Sequence, residues 1–129
     1  MSTHDDILNL LRTERAAIEA ELHESRARLC DAKAALAEAE ATRDRASADR
    51  TGRRAATATL GAATASRLVR WRDGANQAAH HAEGAVSLAK GNVFNAQHHL
   101  EILELALQQI DALLAPPQPA EPNLIEATA

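Results

Sequence analysis

Eight arginines crowd into residues 43–72: Arg43, Arg45, Arg50, Arg53, Arg54, Arg67, Arg70 and Arg72. Only Asp44 and Asp49 oppose them, so this stretch carries a net charge of +6. Residues 1–42 sum to −4 and residues 73–129 to −6, which gives the chain its overall −4. A guanidinium presents a planar fork of donors that matches a phosphate or a carboxylate, so arginine at this density suits either kind of oxyanion. Trp71, the single tryptophan, stands between Arg70 and Arg72. It offers a stacking face for a base or an anchor for a protein pocket. The acidic remainder of the chain repels phosphate, which sets a protein partner ahead of a nucleic acid. These eight arginines and Trp71 are the expected partner-binding residues; binding of nucleic acid by the same stretch is the alternative.

Other chemistry is sparsely represented. The six histidines include the adjacent pairs His80-His81 and His98-His99. Neighbours on a helix point about 100° apart and seldom share one metal. His98 lies three residues before Glu101, and a folded-back chain brings His23 near His99, but no HxxxH or HExxH pattern occurs. Cys30 has Arg26 and Arg28 nearby and reads as a partly exposed, inert cysteine. The phosphate-cradling loops and the nucleophile elbow of common enzyme classes are also missing. The chain is therefore read as non-enzymatic, with no cofactor and no metal site.

The elements that position these residues follow from composition and period. The 129 residues are 46% hydrophobic yet hold only two aromatics, Trp71 and Phe94, and no tyrosine. Scarce strand formers exclude a sandwich, a barrel or a parallel sheet. Ser2 or Thr3 can cap a helix whose first turn holds Asp5 and Asp6. No glycine or proline interrupts residues 3–51. Leu8, Leu11, Ile18, Leu22, Leu29, Ala32, Leu36, Ala39 and Ala46 form one apolar seam with a period near 3.5. Arg15 interrupts it, and Arg43 and Arg50 take apolar places at its far end. A second seam runs without a break through Ala82, Val86, Ala89, Val93, Ala96, Leu100, Leu103, Leu107, Ile110 and Leu114. It extends back to Ala79, Ala75 and Leu68. Gly74, Gly84 and Gly91 lie inside it, pointing to close packing or local flexibility, with a kink expected at Asp73-Gly74.

Large residues begin the first seam and end the second, and alanines fill the portions between. Folding the chain back near Gly61 brings like sizes together. The expected fold is all-α: a long antiparallel two-helix coiled-coil hairpin over residues 1–115. Helix one is expected over about 4–50, a turn region over about 51–65, and helix two over about 66–114. Residues 116–129, PPQPAEPNLIEATA, read as a disordered proline-rich tail.

Apolar side chains also fall outside the seams. Ile7 and Leu10 on helix one, and Phe94, Ile102 and Leu105 on helix two, have no place in a two-helix core. They are the expected self-association residues, with a homo-oligomer, a dimer first, built near the termini. No apolar run approaches the roughly 18–20 residues of a membrane span, and the amino terminus lacks a basic signal-peptide region. With one cysteine, the cytoplasm is the expected location. In layout and length the chain resembles the small antiparallel coiled-coil stalk and chaperone proteins of flagellar and type III export systems. That resemblance implies a helical adaptor that works by binding proteins. Twelve arginines against two lysines fit a GC-rich bacterial or phage genome, so a phage accessory protein fits the same layout.

Overall fold

A computed structural model describes residues 3–60 and 66–116. Two helices make up the described chain: α1 spans Thr3–Thr57 and α2 spans Ser66–Leu114. Among the described residues there is no strand, and every peptide bond is trans. The chain is a two-helix hairpin, the all-α class expected from its composition.

Both helices end for local chemical reasons. Near the end of α1 the Thr57 hydroxyl donates to the carbonyls of Arg53 and Arg54, at 2.8 and 3.3 Å. Backbone N–H groups of Ala58 and Leu60 then bond the carbonyls three residues earlier, at 3.4 and 3.1 Å. This tightening satisfies carbonyls that the last helical turn leaves open. α2 closes with the Ala115 N–H donating to the Asp111 carbonyl at 2.9 Å. Pro116 follows, and it has no N–H with which to continue the helix.

The expected boundaries need one correction. Helix one does not stop near residue 50; it continues through Gly52 to Thr57. The reason is side-chain packing: Arg53 is half-buried and Thr57 is buried, so the inward-facing pattern carries the helix past the glycine. Helix two begins and ends where expected. Gly61 and the rest of 61–65, where the turn was centred, lie outside the described residues, as do residues 117–129 of the expected tail.

The inward positions of α1 alternate spacings of three and four along its whole length. Every residue of the expected first seam is buried or half-buried. The gaps in that seam are filled by Arg15, Ser25, Arg43, Arg50, Arg53 and Thr57, all of them polar. On α2 the expected seam is inward from Ala75 to Leu114. Leu68 is the exception: it is exposed, and Val69 and Arg72 take the inward places instead. The glycines are not sites of close packing. A Cβ built on Gly52, Gly74, Gly84 or Gly91 would meet nothing within 4 Å. α2 runs as one helix through Asp73-Gly74.

Two compact units divide the chain: Met1–Glu24 with Leu100–Ala129, and Ser25–His99. In the first, the terminal unit, the buried hydrophobic residues among those described are Leu22 and Leu103. Here Arg15 Nε donates to Asp111 Oδ1 at 2.5 Å and Nη1 donates to Glu19 at 2.6 Å. Asp111, followed by Glu19, holds the Arg15 guanidinium above its ordinary value. In the second, the central unit, the buried hydrophobic residues are Ala75, Ala79, Ala82, Val86 and Ala89.

Candidate functional site

All the arginines of residues 43–72 belong to the central unit, as does Trp71. The structure sorts them into two groups. Arg43, Arg50, Arg53 and Arg72 are half-buried on the inward faces of their helices. Their long methylene stems suit a seam lined by alanine, because the stem is apolar and the charged head still reaches water. Arg43 pairs with Asp44 at 3.2 Å, and Arg72 lies 3.8 Å from Asp73. Arg45 donates to the Thr42 hydroxyl at 3.2 Å. Arg54, Arg67 and Arg70 are exposed and make no ion pair among the described residues.

Arg53 organises the aromatic centre of this stretch. Its Nε and Nη2 donate to the two carboxylate oxygens of Asp49, at 3.2 and 3.1 Å. Nη1 donates to the Trp71 carbonyl at 2.7 Å. Its guanidinium carbon sits 4.9 Å from the centroid of the Trp71 ring. One side chain thus ties α1 to α2 and covers a face of the indole through its charge. Trp71 still leaves 41% of its surface in water. The result is a held but open aromatic ring, one turn along α2 from Arg67 and next to Arg70.

Placed beside the expected partner-binding set, Arg53 is committed to Asp49 and Trp71, and Arg43, Arg50 and Arg72 are partly withdrawn from the surface. Arg45, Arg54, Arg67, Arg70 and Trp71 are the members left displayed. Sequence reasoning missed the clamp, although Asp49 four residues before Arg53 is a helical ion-pair spacing that could have found it.

The expected self-association residues Ile7, Leu10, Phe94, Ile102 and Leu105 are all exposed. They do not form one group: Ile7, Leu10, Ile102 and Leu105 belong to the terminal unit and Phe94 to the central one. The Phe94 ring stacks on His98, centroids 6.4 Å apart and planes 5° from parallel. Leu113 in the terminal unit, and Leu60, Leu68 and Leu88 in the central unit, are further exposed large residues. Off-seam position carried that signal for Ile7, Leu10, Phe94, Ile102 and Leu105, but not for Leu68, which the seam pattern placed inward.

No three or more His, Cys, Asp or Glu side chains converge on a possible metal site among the described residues. Cys30 is exposed and carries a free thiol. An open groove of about 470 Å³ lies along α2 beside His80, His81, Gly84, Ala85 and Leu88. No described helix is long and apolar enough to cross a membrane. Comparison with protein-family models, with curated proteins and with solved structures finds no match.

Proposed function

We propose that the chain is a non-enzymatic interaction module, an adaptor that binds a protein partner through the displayed arginines around Trp71 and associates with further copies of itself. One observation carries the reading. Arg53, itself anchored by Asp49, donates to the Trp71 carbonyl and lies over the indole, yet the indole remains substantially exposed. An aromatic ring held rigid before binding loses little freedom when a partner covers it, which is the behaviour of an interface anchor. The helices fit an antiparallel coiled coil: inward positions alternate by three and four, and Arg15 meets Asp111 within one unit while Arg53 meets Trp71 within the other. Self-association is supported by the terminal unit, where exposed Ile7, Leu10, Ile102, Leu105 and Leu113 outnumber the buried pair Leu22 and Leu103.

Adaptor work of the kind done by export-system stalks and chaperones, or by a phage accessory protein, fits this design. Residence in a reducing cytoplasm fits the exposed free Cys30. Exposed Arg54, Arg67 and Arg70 favour one second reading, contact with nucleic acid through the same stretch. Trp71 is its own reporter, being the sole tryptophan. The protein is mixed separately with an acidic helical peptide and with a short single-stranded DNA, and Trp71 emission is followed as salt rises. A protein-binding anchor shifts its emission with the peptide and keeps that shift at about 0.3 M salt. Emission that responds only to DNA, and loses that response steeply between about 50 and 200 mM salt, supports the nucleic-acid reading instead.

A further inference from the structure

The two units carry opposite charge. The described residues of Met1–Glu24 with Leu100–Ala129 hold Arg12 and Arg15 against nine Asp and Glu residues, a net −7. Ser25–His99 holds twelve Lys and Arg residues against seven acids, a net +5. The same units carry the exposed apolar side chains, and the two features coincide locally. In the terminal unit Glu101 and Glu104 flank Ile102 and Leu105, α1 contributes Glu14, and all three acids are exposed. In the central unit Arg67 and Arg70 flank Leu68 beside Trp71, and all four are exposed. One face is acidic and apolar; the other is basic and apolar.

We infer that the occupant of each face is a second copy of this chain, with the terminal unit of one copy laid on the central unit of the other. The inference rests on the self-association reading, changes its geometry and makes a second copy the protein partner of the Trp71 face. Joining two copies through their terminal units would set −7 against −7, which opposes assembly. Setting the terminal unit against the central unit of the partner pairs carboxylates with guanidinium groups twice in one two-fold dimer. It also covers Ile102 and Leu105 in one place and Leu68 and Trp71 in the other, so apolar burial supplies affinity while charge sets direction.

Sedimentation of the full chain tests this, with Trp71 emission as a second readout and circular dichroism as the folding control. The wild type is expected to dimerise, with a blue shift of Trp71 as dimer forms. Raising salt from about 50 to 500 mM is expected to weaken the dimer about tenfold or more. The triple variant Arg54→Glu, Arg67→Glu, Arg70→Glu should weaken it by a similar factor at low salt. So should Glu14→Lys, Glu101→Lys, Glu104→Lys. Combining all six substitutions in one chain should restore the dimer, because the charges are exchanged rather than lost. A dimer indifferent to salt and to the arginine triple, but lost with Leu105→Asp, overturns this arrangement and leaves self-association standing. A six-fold variant that stays as weak as either triple also overturns it. A monomer under all conditions removes the self-association reading itself.

Discussion

Arg53 shows how much a single residue can hold at the surface of this hairpin. It makes a two-point ion pair with Asp49, a bond to the Trp71 carbonyl and a cation–π contact. Exposed ion pairs and cation–π contacts are each worth up to about 1 kcal/mol. Arg53→Ala should therefore destabilise the fold by about 1 kcal/mol and free the indole, seen as a lower melting temperature and a red-shifted Trp71 emission. Unchanged emission would mean that the indole is positioned by something else. Arg15 behaves differently, as an inward residue neutralised by Asp111 and Glu19. Its value is raised, so its contribution is complete below the ordinary arginine range and is lost only as pH climbs through the raised value. Stability should then show no step from Arg15 between about pH 5 and 9. Asp111→Asn should lower the melting temperature in dilute buffer, with the difference shrinking in about 1 M salt. These inward arginines were hard to read from sequence. Hydrophobic patterning scores arginine as polar and does not see its apolar stem, so Arg15, Arg43 and Arg50 looked like breaks in a seam that in fact continues through them.

The helices themselves were legible because leucine and alanine recur without competing signals. Leu22, Leu29 and Leu36 mark the inward face of α1, and Val86, Leu100 and Leu103 mark that of α2. What misled was glycine. Gly52 looked like the end of α1, but Arg53 and Thr57 keep inward contacts beyond it, and tertiary packing outweighs a propensity cost of about 1 kcal/mol. Gly74, Gly84 and Gly91 looked like packing sites, yet each has open space where a Cβ would go. Replacing any one of these three by alanine should stabilise the protein by about 0.5–1 kcal/mol, read in a denaturant titration. A loss at Gly84 or Gly91 would mean that a second copy approaches α2 there. Leu103→Ala, at 7% exposure, should cost about 2–4 kcal/mol because it empties one of the two buried hydrophobic positions described in the terminal unit. A cost below about 1 kcal/mol would discredit that core.

At the scale of the whole molecule, charge and core tell the same story. Of the seven buried hydrophobic residues among those described, four are alanine, so little apolar surface is removed from water by the hairpin alone. The acidic–basic–acidic order along the chain becomes, once folded, an acidic terminal unit and a basic central unit. That partition was readable as arithmetic from the sequence. Which arginines remained displayed was not, because it depended on side-chain contacts such as Arg53 with Trp71. The most direct measurement of the account is the mass of the full chain in solution, by light scattering on a sizing column across a range of concentrations. A mass twice the 13.8 kDa of one chain, falling toward one chain as salt rises, is the predicted result. A stable 13.8 kDa species at every concentration and salt would contradict it, showing that this thin core and its exposed leucines need no second copy.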